Sequence, residues 1–141
     1  MKFYLMKGKE LYWLIPQRPP IVEIDTLYEV SATEAHTGLT VCENNYFYED
    51  GRLSEAGLIE HIAQSAAAFA GYTTYLRGEE PHLGFIGEIK KCKIYELPVL
   101  GSDLHTWIKF VSDVNGVSLM KAFTTIDLKK IAECQIKIFL R

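Results

Sequence analysis

The chain contains no apolar run that approaches the length of a membrane span. Its first residues, MKFYLMKGKELYWLIP, carry lysine but no clean apolar stretch closed by small residues, so no secretory leader is expected. Basic charge is also short. Fifteen Lys and Arg stand against 18 Asp and Glu, for a net charge of -3, and no basic stripe emerges. Nucleic acid is therefore not an expected partner. Cysteine is sparse: Cys42, Cys92 and Cys134 are scattered and odd in number, in apolar or strand-like surroundings. Nothing in that spacing suggests a disulfide framework or a metal site. Reduced thiols in a cytoplasmic protein are the expectation, with no cofactor and no metal. No repeat, low-complexity tract or linker divides the chain. Its 141 residues, 48% of them hydrophobic, suffice for one domain over 1–141 with a core of its own.

What the chain does have is one long helical pattern, Ser54–Tyr72. Ser54 suits the N-cap, because its hydroxyl can accept from a first-turn N–H. Glu55 places negative charge at the positive end of the helix dipole. Leu58, Ile62, Ser65, Ala66 and Phe69 form one stripe, and Ile59, Ala63, Ala66, Ala67 and Ala70 a second beside it. Two adjoining stripes predict a helix covered over most of its girth. Gly71 is expected to end it. Glu60 and Gln64, four apart, share one face among small residues. A carboxylate on a largely covered helix is either paired or used. Glu60 can be read as a half-solvated residue held by Gln64, or as a functional acid.

Around this helix the pattern is mostly strand. Lys9–Ile15 predicts a short helix stopped by Pro16, and Pro16, Pro19 and Pro20 impose an extended segment. Ile21–Val30 predicts a strand with Val22, Ile24 and Tyr28 opposite Glu23, Asp25 and Glu29. Ala32–His36 predicts a turn, Gly38–Glu43 a second strand, and Asn44–Leu53 a loop. After the helix, a loop at Leu76–Leu83 leads to four strands: Gly84–Tyr95, Leu104–Val114, Val117–Ile126 and Ile131–Leu140. Asn115-Gly116 is a two-residue hairpin signal, since both positions need positive φ. A flat sheet cannot cover such a helix, whereas a curled sheet can. The expected class is α+β, an antiparallel sheet wrapped around one central helix.

Four segments carry a resemblance. LIPQRPPIVEIDTLYEV, GLIEHIAQSAAAFAG, LGFIGEIKKCKIYELPVLGSDL and TTIDLKKIAECQIKIF resemble, in register, the hotdog-fold 3-hydroxyacyl-thioester dehydratases of fatty acid synthesis, in particular a divergent branch associated with aryl polyene pathways. The resemblance covers about Leu11 to Leu140 and implies a hotdog fold. It places Glu60 at the family's helix carboxylate and Gln64 at its glutamine. In that family a histidine removes the α-proton, the carboxylate assists departure of the β-hydroxyl, and a backbone N–H near the helix N-terminus polarises the thioester carbonyl. An enolate-like transition state needs such a base and such donors.

The family's Gly-His-Phe-Pro-Gly segment is replaced here by NNYFYEDGRLSE, without histidine, and Gln17 stands where related chains often have one. Of His36, His61, His82 and His105, none is carried onto the family position. His36 and His82 are expected in solvated turns, and His61 is about 100° round the helix from Glu60. Asp50 is a candidate replacement base, though an aspartate before Gly51 is more often a turn former. Tyrosines Tyr46 and Tyr48 are poor bases at neutral pH. Three readings stay open: a hydro-lyase with Glu60 as acid, an acyl thioesterase in which Glu60 orients water, and a non-catalytic acyl-binding subunit beside an active dehydratase. The resemblance further implies an acyl thioester on acyl carrier protein or coenzyme A, and a homodimer or a heterodimer with a related hotdog chain. Lys90, Lys91 and Lys93 could meet an acidic carrier, or form a solvated strand face.

Overall fold

The computed structural model describes residues 3–79 and 85–139. In chain order the elements are β1 (Met6–Lys7), a 3-10 helix (Gly8–Trp13), β2 (Thr26–Val30), β3 (Glu34–Thr40), β4 (Tyr48–Glu49), β5 (Arg52–Leu53), α1 (Glu55–Leu76), β6 (Phe85–Ile94), β7 (Asp103–Val114), β8 (Val117–Ile126) and β9 (Lys129–Phe139). Seven strands form one antiparallel sheet in the order β1-β2-β3-β7-β8-β9-β6. β4 and β5 make a separate small hairpin. This is the curled sheet around one long helix that the pattern predicts.

Alternation in β8 and β9 puts Met120, Ala122, Cys134, Ile136 and Ile138 on the inner face. The helix stripe of Leu58, Ile62, Ala66 and Phe69 packs onto them together with Leu104, Ile108 and Ile131. Each such side chain fully buried contributes about 1.5–3 kcal/mol. Ala68, on another side of α1, joins a second cluster with Met6, Leu11, Leu14, Ile15, Ile24 and Leu27. The N-terminal segment thus crosses the helix and covers it from the side that the sheet leaves open. Ser54 caps α1 as predicted, its hydroxyl accepting from the Gly57 N–H at 3.2 Å.

Four boundaries differ from the sequence pattern. The helix does not stop at Gly71 but runs to Leu76, and Gly78 takes the left-handed conformation at φ +71. Gly71 serves a close approach instead: a Cβ there would lie 2.5 Å from the Leu14 carbonyl oxygen. Ile21–Asp25 is not strand: the Ile21 carbonyl and both backbone groups of Glu23 bond side chains of α1 in place of a neighbouring strand. β3 begins at Glu34, so His36 lies in a strand and not in a turn. The loop before α1 holds the β4–β5 hairpin, turned at Asp50 and Gly51 with φ 50 and 83. The Asn115-Gly116 turn forms as expected, with φ 53 and 78. Pro81 and His82 lie outside the described residues.

Candidate functional site

The extended segment after the prolines enters no sheet until Thr26, so its backbone polar groups need other partners. Side chains of α1 supply them. Gln64, fully buried, accepts from the Glu23 N–H at 2.7 Å and donates to the Ile21 carbonyl at 2.9 Å. The Nδ1 of His61 bonds the Glu23 carbonyl at 2.7 Å. A carbonyl only accepts, so Nδ1 carries the proton and Nε2 accepts from the Thr106 hydroxyl at 2.8 Å. Gln64 also donates from Nε2 to Glu60 Oε1 at 2.9 Å. Glu60 is half-buried, at the edge of this network, with one carboxylate oxygen fixed. Glu60 and Gln64 therefore come together, as the four-residue spacing predicts.

A second carboxyl stands in the same network. Glu23 is 0% exposed. Its Oε1 accepts from Asn45 Nδ2 at 2.8 Å, while its Oε2 is buried with no hydrogen-bond partner. Burial pushes its carboxyl up to about 7; the Asn45 bond opposes that rise and the charge of Glu60 adds to it. Asn45 is itself anchored, its Oδ1 accepting from the Phe47 N–H at 2.7 Å. The chain leading into the β4–β5 hairpin is thereby tied to the segment before β2. The oxygen Oε1 of Gln17 is likewise buried and without a hydrogen-bond partner.

The remaining candidates lie elsewhere. Asp50 is exposed and forms the β4–β5 turn in the left-handed region, a conformation that aspartate tolerates. It stands here as a turn residue, and none of the hydrogen bonds around Glu60 and Gln64 includes it. Tyr46 is exposed and meets Phe47 edge-on, with ring centroids 5.0 Å apart. His61 is fully buried, and burial lowers its imidazole to about 4, which keeps it neutral. His36 and His105 share a hydrogen bond of 2.8 Å between strands β3 and β7, flanked by Tyr28 and Trp107. Burial, with His105 beside it, holds His36 down near 4. The expectation of a solvated His36 is thus corrected: it is half-buried in a ring cluster.

Glu23 and Asn45 escaped the sequence pattern. Glu23 alternates with Val22 and Ile24 as if it faced solvent, yet the segment is not strand and the alternation does not apply. The signal that could have found it is a carboxylate flanked by three β-branched residues, Ile21, Val22 and Ile24, three residues before β2 begins. Among the described residues, no group of three His, Cys, Asp or Glu could hold a metal ion, and no helix is long and apolar enough to cross a membrane.

The family model for ApeP-like proteins, described as ApeP dehydratase, matches residues 10–140. A 3-hydroxyacyl-[acyl-carrier-protein] dehydratase FabZ of Clostridium novyi (strain NT) is 29% identical over 132 residues, covering 91% of this chain and 92% of that protein. Among solved structures, the dehydratase heterocomplex ApeI:P from Xenorhabdus doucetiae is similar at a TM-score of 0.84 and 17% identity, over 93% of this chain and 90% of that one. A hypothetical thioesterase protein with coenzyme A from Streptococcus pneumoniae TIGR4 is similar at 0.66 and 9% identity, over 82% and 84%. At these identities the two structures speak for a shared fold.

Proposed function

Because this chain belongs to the ApeP-like dehydratase family, we propose that it works in the dehydration of a 3-hydroxyacyl thioester, with Glu60 as the proton donor. The observation that carries this reading is the Glu60–Gln64 bond of 2.9 Å, which fixes one carboxylate oxygen at the edge of a buried network. Glu60 gives its proton to the β-hydroxyl as the Cβ–O bond breaks. The Cα–H electron pair becomes the new double bond, and the α-proton passes to a base. The first-turn N–H groups of Glu55 and Ala56 have no carbonyl within the helix to bond, and they lie at the positive end of its dipole. They are suited to the thioester carbonyl as it gains charge.

On this reading the base comes from a second hotdog chain. Three of the four histidines, His36, His61 and His105, are committed to bonds inside the fold. Support for a second chain comes from the neighbouring structure, a heterocomplex of dehydratase chains. The thioester is delivered by acyl carrier protein, the carrier named for the FabZ relative. A groove of about 560 Å³ with Lys91, Lys93, Lys109, Lys121 and Lys130 in its lining suits an acidic carrier.

The test is turnover of 3-hydroxyacyl thioesters by the chain alone and co-purified with a related hotdog chain, with products separated by mass spectrometry. Enoyl thioester formed by wild type and lost by at least about a hundredfold in Glu60→Gln is the expected result. Free acid as the product would replace this reading with thioester hydrolysis. Enoyl product from the complex at undiminished rate in Glu60→Gln would make the chain a non-catalytic subunit.

A further inference from the structure

The mechanism above leaves His61 unused, although it is fully buried and adjoins Glu60 in the chain. Its ring is held at both nitrogens. Nδ1–H donates to the Glu23 carbonyl at 2.7 Å, and Nε2 accepts from the Thr106 hydroxyl at 2.8 Å. With its own proton committed to His61, Thr106 accepts from the Thr124 hydroxyl at 2.7 Å. The donors therefore run one way, from β8 through β7 and α1 to the segment before β2. His61 has no bond to Glu60; Gln64 does, and the Gln64 amide is fully used. Its Oε1 accepts from the Glu23 N–H at 2.7 Å, and the two hydrogens on its Nε2 go to the Ile21 carbonyl and to Glu60 Oε1, both at 2.9 Å. Turned over, the amide would set its NH₂ against the Glu23 N–H, and its oxygen against a carbonyl and a carboxylate. Gln64 thus holds Glu60 in this way only while the Ile21–Glu23 backbone stays in place. That backbone has no strand partner, since β2 begins at Thr26. Gln64 grips the N–H of Glu23, and His61 grips its carbonyl.

We propose that His61 is a positioning residue for turnover: it clamps the Glu23 peptide, so that Gln64 presents one orientation to Glu60 and leaves Glu60 Oε2 to carry the acid proton. The clamp stands on the hydrogen bonds, and its effect on rate rests on the dehydratase reading. A buried polar network whose members are all satisfied is rigid. Without the His61 bond the Glu23 carbonyl is a buried acceptor with nothing to hold it, and its peptide turns to find a partner. The N–H that orients Gln64 turns with it. Glu60 then loses its fixed oxygen, and an acid out of line with the β-hydroxyl costs rate, although the substrate still binds.

The experiment compares two amides at position 61 in the full chain, assayed with its partner chain. Asparagine puts its amide where Nδ1 stands, and glutamine puts its amide where Nε2 stands. Each keeps one of the two hydrogen bonds and loses the other. His61→Gln is expected to lower kcat by about ten- to a hundredfold with KM changed less than about twofold, and His61→Asn to restore kcat to within about threefold of wild type. Hydrogen exchange followed by NMR reads the clamp without turnover. Exchange of the Glu23 N–H is expected to quicken by at least about tenfold in His61→Gln and to stay slow in His61→Asn. Equal loss of kcat in the two variants, or a loss that simply follows their stability in urea, overturns the positioning role. A Glu23 N–H that stays protected in His61→Gln overturns the clamp. Wild type gives a reading that needs no variant: the ¹⁵N spectrum of His61 is expected to show the proton on Nδ1, and a proton on Nε2 in its place overturns the clamp. Absence of turnover in every form, wild type with its partner included, overturns the dehydratase reading and the effect on rate with it, while the exchange data still decide the clamp.

Discussion

Glu23 and His61 share one peptide carbonyl and respond to pH in opposite directions. Glu23 has a folded value of about 7 against an unfolded one of 4.5. Its neutral form is favoured in the fold, so it costs nothing below pH 4.5 and its full penalty above pH 7. His61 has a folded value of about 4 against 6.5 unfolded. The fold keeps it neutral, so its contribution is present above pH 6.5 and is lost as pH falls toward 4. Between pH 4.5 and 6.5 the two slopes offset one another. Glu23→Gln keeps the Asn45 bond to its Oε1 and removes only the ionisation. Its stability relative to wild type is expected to be near zero at pH 4.5 and to grow to about 3 kcal/mol at pH 8. Chemical denaturation at the two pH values checks this, and an effect equal at both would contradict it. Glu23 was not readable in the sequence as a buried group. Its neighbours alternate as in a strand, and only the diversion of its backbone to Gln64 and His61 turns it inward.

At the level of elements, the helix and the strands after it were readable because their signals are local. Ser54 caps, Asn115-Gly116 turns, and the Leu58, Ile62, Ala66 and Phe69 stripe finds the core. Glu60 and Gln64 met because a spacing of four on a helix is fixed geometry. What sequence could not supply depended on distant chain. The helix continues past Gly71, and that glycine admits the close approach of Leu14, a contact 57 positions away in sequence that no local pattern contains. His36 gained its ring partners from β7 in the same way. Gly71→Ala gives a test. Alanine favours a helix interior by about 1 kcal/mol, but its Cβ would sit 2.5 Å from the Leu14 carbonyl oxygen. The net result is expected to be a loss of about 1–3 kcal/mol, measured by urea unfolding. A neutral or stabilised variant would show that the 3-10 helix is not held against α1 in this way.

At the scale of the whole molecule, among the described residues the sheet ends at β6, a strand of ten residues paired with β9 alone. A long open edge invites a second chain. The protein is expected to run at about twice its chain mass of 16.1 kDa in light scattering at micromolar concentration, or as a pair with a related chain when the two are produced together. A monomer under both conditions would contradict the open-edge argument. The proposed function names one reaction, and its reverse gives the most direct test. A 2-enoyl thioester is incubated with the protein, alone or with its partner chain, in water enriched in ¹⁸O, and every product is weighed by mass spectrometry. The account predicts a 3-hydroxyacyl thioester with the heavy oxygen at the β-position, formed by wild type and not by Glu60→Gln. Heavy oxygen in a free carboxylic acid, or none in any product, would contradict it.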